Sequence, residues 1–225
     1  MIIVQHMFSQ SKRWIFRAGR RFSLQPKPLQ ILEIILAGVP LLFILVSTFL
    51  KLVTPGYDLW QNTISELVLG PHGNIQTAVF YLLGASIIVV IIKLYILPRA
   101  SVQLRIGLGL IALCAVGFIL LGIFPTDPYG TSMTLTGEIH VQTTTAIIFL
   151  FPLACFLLAP GLKKLFKRGW LSHVTRGAGV MQLVLVAAMA VLVLGNLGWV
   201  GMVERMIMVN SLGWMQIISI KALTG

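Results

Sequence analysis

Residues 106–124 read IGLGLIALCAVGFILLGIF, an uncharged run with Arg105 before it and Pro125-Thr126-Asp127 after it. At 1.5 Å per residue, about 20 such residues reach about 30 Å, the thickness of a bilayer's hydrocarbon core. Further apolar stretches at 29–53, 75–98, 139–161, 178–200 and 203–222 account for most of the chain. The connectors between them alternate in charge. Of the 17 Lys and Arg residues, all but Lys51 and Arg205 lie in the N-terminal arm, in or beside the second and fourth connectors, or near the C-terminus. Of the 6 carboxylates, all but Glu33 lie in or beside the first, third and fifth connectors: Asp58, Glu66, Asp127, Glu138 and Glu204. Short connectors rich in Lys and Arg stay cytoplasmic. The pattern predicts an all-α, six-transmembrane-helix bundle, multi-pass in the plasma membrane, with both N and C termini cytoplasmic.

Composition agrees with this. The chain is 57% hydrophobic and 10% charged, whereas soluble domains carry about 25% charged residues. Its net charge of +11 would suggest nucleic acid in a soluble protein, but here the bases flank helices. Anionic lipid attracts each by about 1 kcal/mol on the cytoplasmic side. The lipid bilayer is therefore the expected partner, and nucleic acid is not. Residues 1–28 form a basic cytoplasmic arm and 29–225 the transmembrane domain. The arm from Ser9 to Phe22 interleaves Trp14, Ile15, Phe16 and Phe22 with bases, which fits either an interfacial helix or a flexible tail. The apolar start, Met1 to Phe8, precedes the positive charges, the reverse of a signal peptide. Two cysteines, Cys114 and Cys155, are too few for a disulfide framework and read as small packing residues.

The first outer connector carries its own structure. Pro55-Gly56-Tyr57-Asp58 is turn chemistry. Thr63-Ile64-Ser65-Glu66 has capping-box spacing, with Thr63 as N-cap and Glu66 at N3, and Gly70-Pro71 closes the segment. A short amphipathic helix of about two turns is expected there, anchored by Tyr57 and Trp60 at the interface. The third connector is a tight turn region from Pro125, and the fifth is very short, near 201–203. Pro40 and Pro152 should kink spans one and four. Gln142, Thr143, Thr144, Gln182, Asn196, Asn210 and Gln216 need partners and should face the bundle interior.

A polar set gathers at one level: Ser65, Glu66, His72, Asp127, Glu138, His140, Glu204 and Arg205, with Asn210 about 9 Å deeper. Thr143 and Thr144 follow His140 at i+3 and i+4, on one helical face. This describes an outward-facing polar cavity. In an enzyme, Asp127, His140 and Ser65 would be catalytic, with Asp127 or Glu66 as base and Arg205 on an anionic oxygen. Glu66, Glu204, Arg205 and Asn210 would bind the ligand. Each residue also has a plainer role. Glu66 closes a capping box, Asp127 forms an Asx-turn, His140 bonds a loop carbonyl and Glu204-Arg205 is an interfacial ion pair. His72, in a Gly-Pro-His-Gly turn, reads as solvent-exposed. Zinc is a weaker option as cofactor: the ligand types are present, but no HExxH or paired-His spacing supports them.

Pro55-Gly56-Tyr57-Asp58, Ile64-Ser65-Glu66-Leu67, Gly70-Pro71 and Gly73, Phe124-Pro125-Thr126-Asp127, Gly137 with His140, and Glu204-Arg205 together resemble the family called domain of unknown function 998. The resemblance covers nearly all of residues 30–222. It implies a bacterial or archaeal integral membrane protein with about six spans, and it marks Ser65, Glu66, Asp127, His140, Glu204 and Arg205 as positions matching the family pattern. It implies no activity. A looser likeness connects the chain to membrane hydrolases of the alkaline-ceramidase type, which use a serine, an aspartate and three histidines around zinc. Only two histidines fall on the outer side here, so that site cannot be completed. Two functions are carried forward: binding or hydrolysis of a polar lipid head group, and a non-enzymatic permease, assembly or sensor subunit whose polar residues form a structural network.

Overall fold

The computed structural model describes residues 31, 34–96, 101–128 and 131–224; the basic arm, 1–28, lies outside them. Leu36–Gly225 is one compact unit, set apart from the residues before it. This unit contains α1 (Val39–Val53), a short 3-10 helix (Ile64–Leu69), α2 (Gly73–Tyr95), α3 (Val102–Ile123), α4 (Leu135–Phe166), α5 (Gly169–Leu194) and α6 (Val200–Thr224). There is no strand among the described residues. Helices α2 to α6 are each long and apolar enough to cross a membrane, and α1 is a shorter apolar helix of 15 residues.

Element boundaries differ from the sequence expectation where helix chemistry outweighs hydropathy. The first stretch is interrupted at Gly38, and Pro40 falls in the first turn of α1. A proline there lacks only an N–H that would have no intrahelical partner anyway, so Pro40 opens a helix instead of bending one. The fourth connector is much shorter than its apolar limits suggested. Lys163 and Lys164 continue α4, and the helix stops at Lys167, which takes a left-handed φ of 53°. Basic side chains are good helix formers, so a span need not end where its hydrophobicity does. The last turn sits earlier than expected. Gly195 ends α5 and Asn196 follows at φ 48°, a position for which asparagine is suited.

Consecutive helices pack as neighbours, and α6 returns to touch α1, α2 and α5. Phe43, Phe80 and Phe118 form a ladder of rings across α1, α2 and α3, with centroids 5.3 and 6.5 Å apart. Phe151 of α4 meets Trp214 of α6 edge-on at 5.4 Å. The opposite surface is also apolar: Leu82, Ile92, Leu113, Val116, Phe149 and Leu153 are exposed. Helices hydrophobic on every side suit a lipid surround.

Polar side chains join the helices inside this apolar body. Ser47 Oγ donates to Gln76 Oε1 at 3.1 Å, both residues buried. Asn210 Nδ2 donates to Ala178 O and to Gln182 Oε1, each at 3.0 Å, and Trp214 Nε1 donates to Thr175 Oγ1 at 3.0 Å. Gln216 Nε2 reaches Ala37 O at 2.9 Å. Gln182, Asn210 and Gln216 therefore do join helices, as expected. Gln142 is exposed and donates to Glu138 instead, and Asn196 is an exposed helix-end residue. Asn210→Leu removes two bonds and strands Gln182. Its expected cost is about 1 kcal/mol, read as a lower thermal midpoint in detergent, and the double variant with Gln182→Leu should recover part of the loss. An unchanged midpoint for Asn210→Leu would show that the α5–α6 clasp carries no stability.

Candidate functional site

The connectors 54–72, 124–134 and 195–199 meet at one end of the bundle, here called the acidic end. The first is folded on itself. Asp58 Oδ1 accepts from Trp60 N–H at 2.8 Å, and Asn62 Oδ1 accepts from Asp58 N–H at 2.7 Å. Thr63 N–H and its hydroxyl both donate to Glu66 Oε1, at 3.4 and 3.3 Å. Glu66 Oε2 accepts from the Asn62 side-chain amide. The capping residues act as their spacing predicted, although the helix they open is 3-10 rather than α. Glu66 is thus occupied by Thr63 and Asn62.

Two adjacent residues of α6 hold this connector down. Arg205 Nη1 donates to the carbonyls of Leu59, Asn62 and Gly201 at 3.0, 2.8 and 2.6 Å, and Nη2 donates to the Tyr57 hydroxyl. The Arg205 guanidinium also lies over the Tyr57 ring, 5.4 Å from its centroid. Burial pushes the Tyr57 phenol well above its ordinary range, against the opposing pull of Arg205. Its hydroxyl donates to Thr63 O at 2.6 Å. Glu204 points the other way, where its Oε2 accepts from Ile64 N–H at 2.6 Å. So Glu204 and Arg205 are two separate clamps on one loop, not an ion pair with each other. Their approach requires a glycine beside them. A Cβ on Gly201 would stand 2.2 Å from Asn62 O.

The third connector is fastened by Asp127. Its Oδ2 accepts from Thr134 N–H at 2.7 Å and its Oδ1 from the Thr134 hydroxyl at 2.9 Å. Thr134 in turn caps α4 by accepting from Gly137 N–H at 3.2 Å. A Cβ on Gly137 would come within 1.9 Å of Asp127 Oδ2, so only glycine lets the carboxylate sit on the helix start. A carboxylate at that end also meets the positive end of the helix dipole.

His140 lies one turn deeper on α4 and is buried, with 3% of its surface exposed. Its Nδ1 is 2.7 Å from Phe124 O. A carbonyl can only accept, so Nδ1 carries the proton, and in the neutral ring Nε2 is an acceptor. That Nε2 is buried without a partner among the described residues, as is Thr144 Oγ1 one turn below. Both line a cavity of about 340 Å³ enclosed by α2 to α6 and the first connector, together with Ser65, Thr126 and Glu204. Its remaining walls are largely apolar, including Phe80, Phe118, Ile147, Ile148 and Ile207. Leu185 is the last buried residue of α5, and Met189 and Val193, beyond it, form one side of the cavity. Val141 and Val193 line it and are themselves exposed. The cavity therefore opens sideways, between α4 and α5.

Of the residues singled out in the sequence, Ser65, His140 and Glu204 share this cavity. Asp127 does not line it, and both its oxygens are held by Thr134, so Asp127 and His140 do not meet through a hydrogen bond, nor through Arg205. Asn210 is engaged between α5 and α6, and His72 is exposed. Among the described residues no three His, Cys, Asp or Glu side chains are placed to hold a metal ion; Cys114 and Cys155 are free and buried. Thr144 was expected to face inward only as part of a polar face, and the i+4 spacing from His140 was its signal. The roles of Tyr57, Asn62, Gly137 and Gly201 depend on contacts between distant segments and had no local signal beyond their residue types.

The comparisons with known proteins agree with the extent of this unit. Residues 36–221 match the family model described as Protein of unknown function (DUF998). The chain belongs to that family. No curated protein and no solved structure matches it. The family match begins with the compact unit and ends within α6, so the clamped connector and the cavity both lie inside the matched region of this DUF998 protein.

Arg205→Lys keeps the charge but replaces a planar fork by a single ammonium, which cannot serve three carbonyls and Tyr57 together. Amide exchange at Asn62 and Glu66 should accelerate about tenfold, equivalent to about 1.4 kcal/mol of lost protection. Gly201→Val should do the same with Arg205 intact. Exchange at wild-type rates in both would show that the connector is held by other contacts.

Proposed function

We propose that this DUF998 protein binds a membrane amphiphile in the cavity beside α5, with the polar head at the acidic end and an apolar chain toward the lateral opening. The observation that carries this reading is that two of the four buried polar atoms without a partner among the described residues, His140 Nε2 and Thr144 Oγ1, lie on one wall of a largely apolar cavity. An unpaired polar atom in such surroundings costs about 1–3 kcal/mol, and a ligand hydroxyl would remove that cost. The groups offered select the head. His140 Nε2 and the Glu204 carboxylate accept hydrogen bonds, while Ser65 and Thr144 can do either. Arg205 lines the opposite side of the connector and is not part of this wall. A neutral or cationic head rich in hydroxyl or ammonium donors is favoured over an anionic one. Ser65 and His140 line the same cavity, but no hydrogen bond joins them and no carboxylate orients the imidazole. Binding is therefore preferred to hydrolysis. The architecture proposed with it is six spans in the plasma membrane with both termini cytoplasmic, so that the acidic end faces outward.

Thr144→Val preserves shape but removes the hydroxyl, and His140→Asn keeps a donor for Phe124 O while withdrawing the deeper acceptor. Native mass spectrometry of protein from gently solubilised membranes should show an amphiphile on the wild type and about tenfold less on either variant, for a loss of about 1.4 kcal/mol. Full retention by both would overturn the reading. For orientation, a phosphatase fused after Gly130 should be active and one fused after Arg168 inactive; the reverse would place the cavity on the cytoplasmic side.

A further inference from the structure

Lys51 and Arg205 are the two bases that depart from the charge partition of the chain, and they are brought to the same place. Both line a crevice of about 140 Å³ between α1 and α6. Its walls include Phe43, Ile44, Ser47, Thr48, Met208 and Val209. Lys51 lies in the last turn of α1, where a cation also meets the negative end of the helix dipole. Among the described residues no carboxylate forms an ion pair with either base. The carbonyls on Arg205 Nη1 satisfy its donors there without cancelling its charge. Its Nε–H and second Nη2–H take no acceptor among those residues. Glu204 acts on Arg205 electrostatically without pairing with it, so both cations stand unpaired at the edge of an apolar bundle, where ionisable residues usually mark a charged partner. The crevice also opens to the membrane-facing surface: Thr48 and Val209 line it and are exposed.

We infer that this crevice is a binding site for an anionic phospholipid of the adjoining leaflet, whose phosphate sits between Lys51 and Arg205. Charge complementarity selects the occupant. The polar part is basic, the floor formed by Phe43, Ile44 and Met208 is apolar, and the volume admits a head group while leaving the acyl chains on the exposed face of α1. The site is distinct from the cavity beside α5, whose polar groups accept hydrogen bonds and carry no base. Ile64 and Met208 line both and form the partition between them. The inference does not depend on what fills that cavity, and the residues tested here do not line it.

The test uses the full chain in nanodiscs of phosphatidylcholine containing a minority of phosphatidylglycerol, with retained lipid counted by native mass spectrometry after extraction. The wild type should retain phosphatidylglycerol in preference to phosphatidylcholine. Lys51→Gln should reduce that preference about fivefold, the factor expected of one basic side chain at a lipid surface, and Lys51→Arg should restore it. Val209→Trp fills the crevice without changing charge and should abolish the preference while both cations remain. Inorganic phosphate in millimolar excess should not displace the lipid. No preference in the wild type, an unchanged preference in Lys51→Gln, or retention in Val209→Trp would each overturn the proposal. Displacement by inorganic phosphate would overturn the assignment to a lipid and indicate a site for a free anion.

Discussion

Inside an apolar bundle, a polar atom needs a partner, because no water is present to replace one. That constraint organises the whole molecule. It makes the chain helical, so that each backbone group is satisfied within its own segment. It then decides which helices meet where: Ser47 with Gln76, Asn210 with Gln182 and Ala178, Trp214 with Thr175. Between helices whose remaining surface resembles lipid, hydrophobicity distinguishes no neighbour from any other, and these few bonds together with close side-chain packing supply the specificity.

The same constraint separates supporting residues from candidate binding residues at the acidic end. Asp127, Glu66 and Arg205 carry the strongest chemistry in the sequence, yet their hydrogen bonds secure loops. Asp127 holds the start of α4, Glu66 the start of the 3-10 helix and Arg205 the carbonyls of the first connector. His140 uses one nitrogen in this way, on Phe124 O, and leaves the other facing the cavity. A residue that is half structural and half unoccupied is a stronger indicator of a ligand than one that is merely ionisable.

The tandem Glu204-Arg205 gives the end of the bundle its two-sided character. Neighbouring residues on a helix point in different directions, about 100° apart. Glu204 therefore addresses the cavity beside α5 while Arg205 addresses the crevice beside α1, and both grip the connector between them. An acceptor-lined cavity and a base-lined crevice thus share one wall, built from Ile64 and Met208. The opposite signs of the two sites follow from a single step along α6.

The sequence by itself determined the helical class, the approximate apolar spans, the alternating charge of the connectors and the capping chemistry of Thr63 and Glu66. All of these are local, set by hydropathy, propensity and spacing within a few residues. It also placed Ser65, His140 and Glu204 at one level of the bundle. Tertiary structure alone decided that these three line one cavity while Asp127 does not, that Arg205 clamps Tyr57 and the first connector, and that Lys51 lines the same crevice as Arg205, more than half the chain away. The physical reason is that a helix's period fixes which residues share its face, but not which neighbour that face will meet. The choice of neighbour depends on packing and on polar pairing between segments far apart in sequence, neither of which leaves a local trace.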